Sequence, residues 1–186
     1  MTDKDFAEML ESYIALQRDN MREQYNRVLP TGEYIFNRFD KAKYLHCGEG
    51  TSVYDTSVVM GDVEIGKNAW IGPYTLLEGA NAKLKIGDYV SIDSGVMIYT
   101  HDSTKKYISG GKESVEYGPV TIGNNTVIGT MSMIGHGVTI GHHCVVGAHS
   151  FVNKDVPDNC IVAGIPAKII GTVIVNDDGT VEFSYD

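Results

Sequence analysis

The chain has 186 residues, 42% of them hydrophobic and 21% charged, which fits one soluble domain and excludes a disordered chain or one that needs disulfide staples. Fifteen basic against twenty-four acidic residues leave a net charge of −9, which disfavours nucleic-acid and anionic-membrane surfaces as partners. No run of about 18 apolar residues is present, so membrane insertion is not expected. Three scattered cysteines (Cys47, Cys144, Cys160) without metal spacing point to reduced thiols in a cytoplasmic setting.

Residues 3 to 28 predict an amphipathic helix. Phe6, Met9, Leu10, Tyr13 and Ile14, then Met21, Tyr25 and Val28, recur three and four apart. Thr2 and Asp5 have the spacing of a capping box, and Pro30-Thr31-Gly32 ends the segment. Phe36 to Leu45 suggests a second short helix. The segment 1–46 is expected to pack on one end or face of the remaining chain, with docking of a partner protein as the sharper alternative.

From Val53 the pattern changes to a period of six. Val53, Val59, Ile65, Ile71 and Leu77 are followed, after three extra residues, by Ile86, Ile92 and Ile98. After eighteen more come Ile122, Ile128, Ile134, Ile140, Val146 and Val152. Gly follows the aliphatic in eight of these fourteen units, and the fifth place is Ser, Ala, Thr, Val or Cys in twelve. Six is neither a helical nor a continuous strand period. It fits a two-residue strand and a tight corner, three of which make one coil of a triangular prism.

The longer of the two breaks in the register follows Ile98. A unit starting at Ile98 would turn Asp102 inward, where an unpaired carboxylate costs several kcal/mol, so the coil must open there. A polar, glycine-bearing loop, 102–121, comes before the repeat resumes, and loops of that length commonly carry function. His101 stands where the loop leaves the coil. At the end of the chain, Val173-Ile174-Val175 and Thr180-Val181-Glu182-Phe183 flank Asp178-Gly179, a hairpin pattern for 172–186.

The repeat, with Trp70-Ile71-Gly72-Pro73, Tyr99-Thr100-His101-Asp102, Gly118-Pro119-Val120-Thr121-Ile122-Gly123-Asn124-Asn125 and Ala163-Gly164-Ile165-Pro166-Ala167-Lys168, resembles the hexapeptide-repeat acyltransferases. Within them it is closest to sugar O-acetyltransferases of the galactoside, maltose and polysaccharide-pathway types. The resemblance implies an all-β chain: a left-handed parallel β-helix of about five coils over 47–171, with the helical segment before it and the hairpin after it.

It also implies acetyl-CoA as co-substrate, a sugar acceptor and a homotrimer with sites between subunits. His101 is then the general base that deprotonates the acceptor hydroxyl. Thr130, Ala148, Asn153, Lys154, Gly164 and Lys168 are the matching CoA positions, and an oxyanion donor is expected near Gly129-Thr130. Glu78, at a corner beside the insertion Asn81-Ala82-Lys83, aligns with an acceptor-binding carboxylate; Asp93 is a weaker acceptor candidate. The group orienting His101 stays open among Asp102, Glu116 and a backbone carbonyl.

Three other readings exist. An amino-sugar nucleotide could be N-acetylated. His136, His142, His143 and His149 could hold a metal across subunits, as in γ-class carbonic anhydrases, although no metal is expected. The prism could also be a scaffold without catalysis.

Overall fold

The computed structural model describes residues 2–185; Met1 and Asp186, the outer ends of the two flanking segments, lie outside them. The repeat winds as a parallel β-helix. Strands one coil apart pair in parallel, eighteen residues out of phase: Ser52 with Trp70, Val58 with Leu76, Val127 with Val145, Met133 with Phe151 and Thr139 with Thr121. The three-residue insertion is taken up as an irregularity, so that Val58 meets Leu76 but Val63 meets Leu84. Thirteen of the fourteen repeat aliphatics are buried, and Val59 packs against them from the rim. Stacked Ile, Leu and Val columns in the prism interior are therefore the core.

The corners explain the small fifth residue. Thr126 Oγ1 donates to the Gly141 carbonyl and accepts from the Cys144 N–H one coil later. Ser132 does the same with Gly147 and Ser150. Buried corner hydroxyls thus tie successive coils together. Glycine after the aliphatic reflects close approach: a Cβ on Gly129 would lie 2.6 Å from the Val146 carbonyl oxygen.

Helix α1 (Asp3–Tyr25) carries the expected capping box at Thr2 and Asp5. It ends earlier than the sequence pattern predicts, because Asn26 turns left-handed and closes it. Packing falls instead to α2 (Gly32–Ile35) and α3 (Arg38–Tyr44). Lys41 Nζ donates to the carbonyls of Tyr54, Asp55 and Ser57 at 3.0, 2.8 and 2.7 Å, and Glu33 accepts from the Asp55 N–H. These contacts cap the open end of the first coil, as a terminal repeat requires. Helix α1 has no buried residue.

The inserted segment is ordered. His101–Asp102 pairs antiparallel with Glu116–Tyr117, and α4 (Thr104–Ile108) lies between them. At the far end Cys160–Gly164, Ala167–Val175 and Val181–Tyr185 form an antiparallel meander that contains the expected hairpin.

Candidate active site

Ile98 is buried, and two residues later the chain leaves the coil. Thr100 is fully buried and His101 emerges with about a third of its side chain exposed. One coil below, Leu77 pairs with Ile98, so Glu78 lies beneath the Tyr99–His101 segment. Its Oε2 accepts from the Thr100 N–H (2.9 Å), the Thr100 hydroxyl (2.9 Å) and His101 Nδ1 (3.0 Å), and its Oε1 accepts from the Ala80 N–H (2.8 Å).

Glu78 is only 2% exposed. Burial pushes its carboxyl upward, but the hydrogen bonds from Thr100, His101 and Ala80 outweigh that and hold it down at about 2. A carboxylate with no proton can only accept, so Nδ1 of His101 must carry the hydrogen. Nε2 is left with its lone pair free. Tyr99 meets the imidazole edge-on, with ring centroids 6.0 Å apart.

The imidazole opens into a cavity of about 580 Å³. Tyr99, Met133 and Phe151 make its apolar wall, and Asp102, Ser103, His136 and Asn153 make the polar one. A polarised base facing a cavity with an apolar wall and scattered hydrogen-bonding groups can deprotonate a bound hydroxyl.

The residues expected at the site divide between two corners of the prism that bound the same face. His101 lies at the corner shared by Gly135-His136 and Asn153-Lys154; of these, Asn153 lines its cavity and Lys154 stands exposed beside it. Thr130, Ala148 and Gly164 stack at the other corner, where the His149 N–H bonds the Thr130 carbonyl and the Gly164 N–H bonds Ser150 Oγ. Asp93 belongs there too, accepting from Ser91 Oγ at 2.8 Å, and does not line the cavity. Lys168 is exposed on the Ala167–Val175 strand, opposite Ala163.

Some expectations need correction. Glu78 offers no free face to an acceptor: it is buried and both its oxygens are occupied by Thr100, His101 and Ala80. It is the group that orients His101. Asp102 and Glu116 do not hold the imidazole, since Asp102 Oδ1 accepts from the Thr104 N–H and Glu116 pairs with Lys105, each at 2.7 Å. Of the Gly129-Thr130 pair expected to supply an oxyanion donor, the Gly129 N–H is spent on the Val146 carbonyl at 2.8 Å, and only the Thr130 half of that expectation stands.

Sequence reasoning missed Glu78 as the partner of His101, although counting one coil plus the three inserted residues back from Tyr99 arrives at it. It also missed His136 as a cavity residue. Among the described residues no group of three His, Cys, Asp or Glu side chains is placed to hold a metal ion, and His142 Nδ1 is engaged by the Asn124 N–H.

Comparison with known proteins agrees with this architecture. The family described as bacterial transferase hexapeptide (six repeats) matches residues 111–154. Protein CapG of Staphylococcus aureus is 43% identical over 115 residues, 55% of this chain and 64% of CapG. The chain spans only 60 to 64% of the length of the curated relatives it matches.

Two solved structures are also similar. AntD, an N-acyltransferase from Bacillus cereus in complex with dTDP and coenzyme A, has 28% identity and a TM-score of 0.62 over 68% of this chain and 72% of its own. A maltose O-acetyltransferase from Clostridium difficile 630 has 28% identity and a TM-score of 0.56 over 89% and 88%. With the repeat carried through every coil, the chain is similar over its prism to hexapeptide-repeat transferases, among them structures of acyl- and acetyltransferases.

Proposed function

We propose that the protein transfers an acetyl group from acetyl-CoA to a hydroxyl of a sugar-containing acceptor. The observation that carries the reading is the buried Glu78 carboxylate fixing His101 Nδ1–H, so that Nε2 faces the cavity as a base. Nε2 takes the proton of the acceptor hydroxyl as its oxygen attacks the thioester carbonyl. The new C–O bond forms, the C–S bond breaks, and the imidazolium returns its proton to the departing CoA sulfur. Glu78 keeps the tautomer fixed and favours the transient imidazolium. No covalent enzyme intermediate is needed.

CoA fits the corner positions by size and charge. Ala148 leaves room for the pantetheine arm, and the exposed Lys154 and Lys168 suit its phosphates. Thr130, Ala148 and Gly164 lie across a face from His101 and Lys154, which favours a donor site completed by a second copy. The outward residues of that face are Val58, Leu76, Met97, Met133 and Phe151, an apolar ladder that association would cover. Outward positions on the next face are Glu64, Lys85, Thr121 and Thr139, which suit water. A homotrimer with shared sites is the assembly we propose, in the cytoplasm; no helix among the described residues is long and apolar enough to cross a membrane.

N-acetylation of an amino-sugar nucleotide is the second reading, favoured by the likeness to AntD. The cavity lining speaks for the hydroxyl instead: it holds no Lys or Arg for a diphosphate, and its one acid is Asp102.

Calorimetric titration of acetyl-CoA, followed by an acceptor screen with matched sugars and amino sugars, tests the proposal. Micromolar binding, transfer to hydroxyl acceptors and a kcat lowered roughly 10²- to 10⁴-fold in His101→Ala are expected. Absence of binding at millimolar acetyl-CoA, or near-normal turnover by His101→Ala, overturns it.

A further inference from the structure

The cavity contains two polar side chains that the transfer step leaves unused. Asp102 follows the base directly and is fixed by its antiparallel pairing with Glu116. Its Oδ1 accepts from the Thr104 N–H at 2.7 Å, while Oδ2 has no protein partner among the described residues. His136 comes from the coil above. Ile98 pairs with Ile134, which sets His136 over Thr100 in the parallel register, and the Gly137 N–H is tied to the Gly118 carbonyl at 3.1 Å. The His136 imidazole makes no hydrogen bond to the protein among the described residues, yet it is half-buried and lines the cavity with Asp102.

We propose that Asp102 and His136 form an acceptor clamp that takes the hydroxyls next to the one His101 deprotonates. The proposal rests on the acetyltransferase reading above and names the acceptor class: a neutral sugar or polyol with a free hydroxyl adjacent to the acetylated one. The chemistry of the pair supports this. Hydrogen bonds from Thr104, with smaller contributions from the His136 and His101 charges, keep the Asp102 carboxyl ionised and accepting only. It therefore needs a hydrogen-bond donor, which a polyol supplies and an ionised phosphate does not. The imidazole of His136 can donate or accept, and so takes a second hydroxyl in either orientation. Both groups stand on paired backbone one coil apart, about 4.8 Å along the prism axis, which suits neighbouring oxygens of one pyranose. The apolar wall of Tyr99, Met133 and Phe151 would take the C–H face of the ring.

The test is acetyl transfer to maltose, methyl glucosides and glycerol, followed by release of free thiol, with wild type, His136→Ala, Asp102→Asn and His136→Gln. For whichever acceptor wild type uses, the first two variants should raise the acceptor KM roughly tenfold, the loss of one hydrogen bond to a polar partner. The KM for acetyl-CoA should stay put, and His136→Gln should recover part of the loss. Removing the neighbouring hydroxyl from the acceptor should penalise wild type but not the variant that lacks its partner, a non-additivity that a merely structural residue would not produce. Transfer that collapses in His101→Ala but keeps its acceptor KM in His136→Ala and Asp102→Asn overturns the clamp alone. Failure of wild type to acetylate any of these hydroxyl probes while still binding acetyl-CoA overturns the hydroxyl reading and the clamp with it.

Discussion

Replacing Glu78 by glutamine tests the central geometric claim in two independent ways. The carboxyl lies at about 2 in the folded chain against an ordinary 4.5, because the hydrogen bonds it accepts outweigh the effect of its burial. That lowering corresponds to about 3 kcal/mol of folding stability. The contribution is complete above the unfolded value near 4.5 and is lost as pH falls from there towards 2. Glutamine does not titrate. The stability gap between wild type and Glu78→Gln should therefore narrow by about 3 kcal/mol as pH falls from about 5 towards 2. Urea unfolding at fixed chain concentration, read by circular dichroism, measures it.

The second readout is catalytic. The amide of glutamine can turn an N–H towards Nδ1, which favours the tautomer with its hydrogen on Nε2 and abolishes the base. Turnover should fall roughly 10²- to 10⁴-fold with little change in the affinity for acetyl-CoA. A gap that stays flat down to pH 2.5, together with turnover within threefold of wild type, would refute the assignment of Glu78 as the orienting group.

Three more outcomes are expected from the same architecture. Ile134→Ala deletes a fully buried rung of the interior column and should cost about 2–5 kcal/mol, read by urea unfolding. Lys154→Ala and Lys168→Ala should each weaken acetyl-CoA binding roughly fivefold at low salt and less at high salt, since both ammonium groups face water. If the site is shared between neighbouring copies, mixing the inactive variants His101→Ala and Ala148→Trp should restore activity. Random reassembly gives about a quarter of the interfaces an intact base from one copy and an intact donor corner from the next; no recovery after mixing would place the whole site within one chain.

The prism was legible because each coil repeats the same physical demand. An aliphatic must fill the interior and a small residue must fit the corner, so Ile71, Ile92, Ile128 and Val146 could be placed by counting. Helix α1 illustrates the opposite case. Its apolar spacing was plain, but spacing does not say what covers a helix, and Phe6, Met9, Tyr13 and Leu16 are exposed in this chain. The segment that does pack, α2 and α3, holds on through Lys41 and Glu33 to backbone groups of the first coil, contacts that leave no periodic trace. The loop was legible as an interruption, since Asp102 could not turn inward. Its internal order, with α4 and the pairing of His101 with Tyr117, was not.

The active-site partner falls between these cases. Reading outward from His101 along the chain reaches Asp102 and Glu116, because sequence neighbours are the only neighbours a linear reading offers. In a solenoid the relevant neighbours lie one coil away, and the three inserted residues shift that step to place Glu78 under Tyr99 and Thr100. A carboxylate there breaks the glycine preference of the corner, and it is stable only because the chain stops coiling above it. The departing segment gives Glu78 the Thr100 N–H, the Thr100 hydroxyl and the imidazole, which no regular corner would supply. The opening of the coil at Asp102 and the burial of Glu78 thus depend on each other. Restoring a regular hexapeptide in place of 102–121 would remove the donors that keep this carboxylate buried, and the orientation of His101 with them.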